Sequence, residues 1–318
     1  MAEQYDLIII GGGPAGLTAG VYASRRNLKT LIITKNIGGQ AGSASWVENY
    51  PGFDKVNGFE LMRKFQKQAE NFGTEFKYEE IAKVEKTNKH FLVKTVTGNE
   101  YQSLALILAF GKTPSNLEVP GEKEFTGKGV AYCATCDGPL FKNKIVAVVG
   151  GGNSALESAD YLAQIAQKVF LIHRRNEFRG EELLVERIKS HPNIELKLNK
   201  VVTEIKGDKF VKSVILEEVN SKVKEELKLD GIFIEIGYMV DASAIKDLVK
   251  LNEKNEIIID EQCQASLEGV FAAGDVTNIK FKQIVISASE GAKSALTAYK
   301  YIQDIKGTKE AIFDWGKK

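Results

Sequence analysis

The chain of 318 residues contains only three cysteines, three histidines, six prolines and two tryptophans, and the shortages exclude whole classes of protein. Three cysteines cannot staple a secreted disulfide scaffold. A structural zinc site would need two ligands beyond Cys133 and Cys136. The remaining candidates, Cys263, His90, His173 and His191, offer no second C-x-x-C and no H-x₃₋₅-H spacing, so no metal is expected. Charge of one sign is also missing. The balance of 43 basic and 42 acidic residues leaves +1, which provides no field for nucleic acid or an anionic membrane. Apolar runs such as Leu104 to Phe110 fall far short of the roughly 18 residues of a membrane span. No basic segment with a cleavable apolar stretch opens the chain, because Tyr5 to Ile10 runs straight into glycines as a buried strand does. Few cysteines and no export signal make the reducing cytoplasm the expected compartment.

What is present fits two domains, with 43% apolar residues to fill their cores. Leu7 to Ile10 is a β-branched apolar run. It leads into Gly11-Gly12-Gly13-Pro14-Ala15-Gly16 and a helical stretch, Leu17 to Arg26. Strand, glycine turn and helix form a dinucleotide-binding unit: Gly11 for the tight turn, Gly13 for close approach of a pyrophosphate, Gly16 for packing of helix on strand. The phosphates belong at the positive end of the helix. The acid that usually takes the ribose hydroxyls about 20 residues on is absent, since the second strand, Thr30 to Thr34, ends in Thr34-Lys35.

Lys144 to Val149 repeats the strand pattern before Gly150-Gly151-Gly152-Asn153-Ser154-Ala155 and a helix from about Leu156 to Gln167. The next strand, Lys168 to Ile172, ends in His173-Arg174-Arg175, with Arg179 close behind. Three of the seven arginines of the chain fall in this one segment. Guanidinium groups match a 2′-phosphate bidentately where an acid would accept the free hydroxyl of NAD, so the second site reads as an NADP site. Between the two fingerprints stands Cys133-Ala134-Thr135-Cys136, a spacing that allows cycling between dithiol and disulfide. Asp137, beside Cys136 and with no histidine near in sequence, is the candidate acid for a departing thiolate; its alternative role is that of a turn residue before Gly138-Pro139. Cys263 reads as a packing thiol. The span from Glu195 to Asp230 alternates Lys and Glu with Val, Ile and Leu as solvent-edged strands do, Ala288 to Ile302 has helical spacing, and Ala311 to Lys318 forms a tail.

Taken in order, Gly11 to Gly16, Gly38-Gly39-Gln40, Val47 to Gly52, Cys133 to Gly138, Gly150 to Ala155, His173-Arg174-Arg175 and Gly274-Asp275 resemble the low-molecular-weight thioredoxin reductases over essentially the whole chain. Gly269 to Asp275, an apolar strand ending in Gly-Asp before a further helix, looks like the second flavin-binding motif of that family, whose aspartate binds the ribityl or pyrophosphate part of FAD. The resemblance implies an α/β protein with two Rossmann-like domains: a discontinuous FAD domain at about 1–115 and 246–318, and an NADPH domain at about 116–245 carrying the disulfide. It also implies a homodimer, Gln40, Asn49 and Gln283 near the flavin, Cys136 facing the flavin, and Cys133 attacking a thioredoxin-like small dithiol protein.

The chain departs from the family in having Ala109-Phe110-Gly111 for Ala-Thr-Gly and Lys282-Gln283 for Arg-Gln. The expected cycle passes electrons from NADPH through FAD to the disulfide. Nicotinamide and disulfide would take turns at the flavin by rotation of the middle domain about Thr113-Pro114 and Gly237-Tyr238. A flavin-dependent ferredoxin or quinone NADP reductase would not need the vicinal cysteines. Ferredoxin-driven thioredoxin reduction would not need the second fingerprint, and a non-catalytic flavoprotein sensor would show no flux from NADPH to the disulfide. Peroxiredoxin reductases of this fold usually carry a further N-terminal domain with its own C-x-x-C.

Overall fold

Alternation along the first strand decides the layering. In the computed structural model, which describes residues 3–44 and 46–308, Leu7 and Ile9 of β1 (Glu3–Gly12) pack into one core and Ile8 and Ile10 into another on the opposite face. Each of these side chains is wholly or almost wholly buried, contributing on the order of 1.5–3 kcal/mol apiece. The expected tail at 311–318 lies outside the described residues.

The chain forms two compact units, Met1–Lys112 with Val240–Lys318, and Thr113–Met239. In the first, β1 is followed by α1 (Pro14–Arg25), β2 (Thr30–Ile37), α2 (Gly39–Ser43), α3 (Gly58–Asn71), β3 (Glu75–Tyr78), β4 (Ile81–Lys86), β5 (Phe91–Thr95) and β6 (Glu100–Leu108). β3, β2, β1 and β6 run parallel in that order, and β5 and β4 continue antiparallel from β6.

The second unit opens with β7 (Thr113–Pro114), α4 (Glu122–Phe125), β8 (Val130–Ala131), α5 (Ala134–Asp137), β9 (Ile145–Val149), α6 (Asn153–Ala163), β10 (Lys168–His173) and α7 (Glu182–Ser190). It continues with β11 (Ile194–Leu198), β12 (Lys200–Gly207), β13 (Val211–Glu218), β14 (Lys224–Lys228), β15 (Gly231–Ile234) and β16 (Tyr238–Met239). Its parallel sheet has the order β11-β10-β9-β15-β8. Val146 and Val148 face Leu156, Ala159 and Leu162 of α6, while Ala147 and Val149 face Val202, Val214 and Leu216 of the antiparallel β12-β13-β14 sheet. β7 and β16, through which the chain enters and leaves this unit, pair with each other.

The returning segment adds β17 (Val270–Ala272), parallel to β6, and α8 (Ile284–Lys306). Val240, Ala242 and Ile245 are buried in the first unit's core, although 240–245 were assigned from sequence to the middle domain. Composition marks a linker but not the core that its apolar residues enter. Before the further helix expected after Gly274-Asp275 stands a single 3₁₀ turn, Gly274–Val276. It stops where the Thr277 hydroxyl bonds back to the Gly274 carbonyl at 2.8 Å, and α8 begins at Ile284. Among the described residues no helix is long and apolar enough to cross a membrane.

α1 and α8 cover one face of the first sheet together, with Leu17, Ala19, Ala295 and Ala298 in a shared core. Their closest approach is at Gly291, where a Cβ would stand 2.1 Å from the Ala15 carbonyl oxygen. Backbone cannot yield as a side-chain tip can, so Gly291→Ala should destabilise the protein by about 1–3 kcal/mol despite its better helix propensity. A lower urea midpoint with an unchanged m-value is the expected readout.

Candidate functional site

The first fingerprint is closed on two sides and open on the third. Gly11 has φ +115°, and a Cβ there would meet the Ala109 carbonyl oxygen at 2.3 Å; one on Gly16 would meet the Gly11 carbonyl oxygen at 1.9 Å. At Gly13, by contrast, the nearest atom to a Cβ would be the Gly38 carbonyl oxygen at 3.9 Å. The start of α1, with Pro14 in its first turn and Ala15 and Gly16 behind, is therefore packed tightly at Gly11 and Gly16 but left open at Gly13.

Three further segments reach the same place. The Gly38 amide donates to the Gly12 carbonyl at 2.7 Å, setting Gly39 and Gln40 beside the turn. A Cβ on Gly274 would lie 3.0 Å from that of Ala15, which puts Gly274 and Asp275 against the first turn of α1. The Asn49 amide donates to the Gln283 side-chain oxygen at 3.1 Å, and the Gln40 amide to the Lys112 carbonyl at 3.1 Å. Gly39 and Gly274 thus adjoin the first fingerprint, while Asn49 is paired with Gln283 and Gln40 with Lys112.

Thr34 is not free for a ribose. Its hydroxyl accepts from the Gly12 amide at 3.0 Å and donates to the Asn36 carbonyl at 2.7 Å, while Lys35 pairs with Glu80.

Sequence reasoning named Lys282 but missed Lys112, Glu256 and Glu290, which stand with it and with Gly274. Lys112 lies 2.8 Å from Glu256, and Lys282 lies 3.8 Å from the same oxygen while donating to the Thr277 carbonyl at 2.6 Å. Burial works to raise the Glu256 carboxyl, but hydrogen bonds from Lys112 and Asn252 and the charges of Lys112 and Lys282 outweigh it and hold it below the usual carboxylate range. Burial lowers the Lys282 ammonium against the pull of Glu256. Glu290, buried on α8, accepts the Gly274 amide at 2.6 Å. No motif marks Glu256 or Glu290, because their partners lie far away in the chain.

In the second unit a Cβ on Gly150 would meet the Glu235 carbonyl oxygen at 2.3 Å, whereas Gly152 has open space around it at the start of α6. Ser154 is exposed in the first turn. The Asn153 side chain is committed to Glu181, accepting its amide at 2.8 Å and donating to its carboxylate at 3.1 Å. His173 is buried with its Nε2 donating to the Glu177 carbonyl at 3.1 Å, its ring stacked on Phe178 and set against Gly151. Burial lowers its pKa, and the charges of Arg179, Arg175 and Arg174 lower it further. The ring is therefore a neutral floor under three arginines, all exposed. The Arg179 amide donates to the Gly151 carbonyl at 2.7 Å, which ties the arginine loop to the fingerprint.

The same unit carries the redox pair. Cys133 and Cys136 form a disulfide with Cα atoms 5.3 Å apart. Cys133 Sγ accepts the Cys136 amide at 3.2 Å and lies 3.3 Å from the Thr135 hydroxyl. Cys136 is exposed, Cys133 half-buried, and burial raises the pKa of Asp137 at the end of α5. Cys263 is buried in the other unit, its thiol pushed up to about 11 by burial.

Lys112→Met would leave Glu256 short of its nearest cation, at a cost of about 1–3 kcal/mol. Because the Glu256 pKa is depressed in the folded state, its contribution is present above the unfolded value of about 4.3 and lost as pH falls through the folded one. Urea titrations should therefore show the variant's deficit in full at about pH 7 and reduced below about pH 4.

Comparison with known proteins agrees with this arrangement. The chain is 39% identical over 308 residues to a thioredoxin reductase of Treponema pallidum, covering 96% of this chain and 100% of that one. It is also 39% identical over 316 residues to a thioredoxin reductase of Bacillus subtilis, covering 98% and 100%. The crystal structure of Lactococcus lactis thioredoxin reductase superimposes with a TM-score of 0.84 at 37% identity, covering 94% of this chain and 99% of that one. Residues 5–299 match the family of pyridine nucleotide-disulphide oxidoreductases. With its two glycine-turn dinucleotide folds and a cysteine pair in a C-x-x-C turn, the chain belongs to that family.

Proposed function

We propose that this oxidoreductase is a thioredoxin-disulfide reductase that draws electrons from NADPH and delivers them through the Cys133–Cys136 disulfide to thioredoxin or a similar small dithiol protein. The observation that carries the reading is the placement of that disulfide in the unit whose second fingerprint is flanked by Arg174, Arg175 and Arg179. A ferredoxin or quinone reductase has no use for the cysteine pair.

The open side at Gly13, with Gly39 near it and Gly274 against Ala15, suits FAD, with Pro14, Gln40, Asn49, Asp275, Lys282 and Gln283 as its further proposed contacts, and the free space at Gly152 with the arginine loop suits NADPH. FAD supplies a two-electron carrier between a nicotinamide and a disulfide. Arg174 and Arg175 would hold the 2′-phosphate with charge-assisted bonds worth roughly 1.5–3 kcal/mol each.

In the dithiol form the Cys133 thiolate attacks the partner's disulfide, and Cys136 then displaces the partner and closes the intramolecular bond. Asp137, whose burial keeps a proton on the carboxyl to higher pH, protonates the departing sulfur. The paired β7 and β16 strands put both chain crossings side by side at the edge of the second unit, a favourable place for backbone rotation between half-reactions. We place the protein in the cytoplasm as a homodimer, a reading that rests on cysteine usage and on the family.

The test is anaerobic titration of the purified yellow protein with NADPH, followed by addition of thioredoxin from the same organism; bleaching without subsequent thioredoxin reduction would refute the assignment. Cys133→Ser and Cys136→Ser should each abolish reduction of the protein disulfide, by at least about a thousandfold in kcat/KM, while NADPH still bleaches the flavin. Arg174→Ala combined with Arg175→Ala should remove most of the preference for NADPH over NADH, read as the ratio of the two kcat/KM values.

A further inference from the structure

The loop that carries the arginines also carries acid. Between β10 and α7 the chain reads Arg174-Arg175-Asn176-Glu177-Phe178-Arg179-Gly180-Glu181, so the Glu181 carboxyl stands two residues beyond Arg179. A carboxylate so placed can pair with a guanidinium and take it out of use for any other anion. Here it does not. Among the described residues Arg174, Arg175 and Arg179 make no ion pair, whereas Arg187 of the same unit holds Asp160 at 3.3 Å.

Glu181 is held instead by the fingerprint. Its carboxylate accepts the Asn153 side-chain amide at 3.1 Å, and its backbone amide donates to Asn153 Oδ1 at 2.8 Å. Asn153 is the first residue of α6. Both residues are exposed, so burial does not force the pair together. The approach is set by the backbone: a Cβ on Gly180 would stand 2.4 Å from Leu156 Cδ1 and 2.8 Å from Asn153 Oδ1, and the Arg179 amide donates to the Gly151 carbonyl at 2.7 Å. Asparagine presents a donor and an acceptor on one neutral group. It can therefore hold a carboxylate without engaging an arginine to do so.

We propose that Asn153 and Glu181 are positioning residues for the 2′-phosphate site: Asn153 draws the Glu181 carboxylate onto the start of α6 and thereby leaves Arg174, Arg175 and Arg179 unpaired for the phosphate. The inference deepens, and rests on, the reading of this loop as the NADPH site. Without Asn153 the carboxylate turns to the arginines, and an incoming 2′-phosphate must displace it as a competing anion. The other acids of the segment, Glu177 and Glu182, are exposed and remain the same in every variant compared.

The test is calorimetric titration of the FAD-loaded protein with adenosine 2′,5′-bisphosphate and with 5′-AMP at about 10 mM ionic strength, where exposed charges are weakly screened. The two probes differ by the 2′-phosphate alone, so the ratio of their Kd values reads that subsite. Asn153→Ala should lower the wild-type preference about two- to fivefold, the size of an exposed ion pair. Adding Glu181→Gln to Asn153→Ala should restore it, because the released side chain then carries no charge; a misplaced loop would not be rescued in this way. Glu181→Gln alone keeps both bonds to Asn153 and should match or exceed the wild type. If Asn153→Ala fails to fold, Asn153→Asp, whose carboxylate repels Glu181, should give the same loss and the same rescue. A preference unchanged by these Asn153 variants, or lowered and not restored by Glu181→Gln, would overturn the proposal while leaving the NADPH reading intact. A wild type that does not distinguish the two probes would overturn both.

Discussion

Backbone lying directly on backbone is the constraint from which both nucleotide folds follow. Gly16 brings α1 onto the Gly11 carbonyl, Gly291 brings α8 onto α1 at Ala15, and Gly150 admits the chain at Glu235. In each place a single methyl group would overlap main-chain atoms that have no rotamer through which to escape. The gain from this closeness is directional. The first turn of α1 is held at the end of β1 with its amides facing the open side at Gly13, and the returning segment sets Gly274 and Asp275 against the same turn. A discontinuous domain can thereby present one binding face built from residues some 260 positions apart.

The two units handle charge differently. In the second unit three exposed arginines surround a histidine kept neutral by burial, so the cationic charge stands outward, where a phosphate can reach it. In the first, Lys112 and Lys282 turn inward to one shared carboxylate. Lysine suits that position because its ammonium is a compact charge that a single oxygen can hold, whereas a guanidinium presents a planar fork. The redox turn differs from both: its own carboxyl, Asp137, is raised by burial. A disulfide that accepts two electrons must also acquire protons, and a carboxyl that keeps its proton to higher pH is chemically matched to that need.

Much of this was legible in the sequence because it depends on short-range rules. Glycine spacing after a β-branched strand, arginines at the end of β10, and two cysteines three positions apart are all local patterns. Their limits were local too. The first domain boundary was expected at 115 and the second at 245, while the compact units divide after Lys112 and Met239. The misplaced stretch is short and partly apolar, and nothing within it says which of two cores Val240 and Ile245 will enter. Likewise Thr34, at the position where a ribose-binding acid usually stands, revealed the missing carboxylate but not its hydroxyl's bonds to Gly12 and Asn36.

By itself the sequence determined the α/β architecture, the two dinucleotide folds and the identity of the redox pair, since each is written in residues adjacent or nearly adjacent along the chain. Only the tertiary structure decided which side chains serve those elements from a distance. Glu256 meets Lys112 across 144 positions, Asn49 meets Gln283 across 234, and Glu235 meets Ser158 across 77. Such pairings have no periodicity to betray them, because a buried charge or hydrogen bond is satisfied by whatever group the fold brings within about 3 Å, whatever its place in the chain.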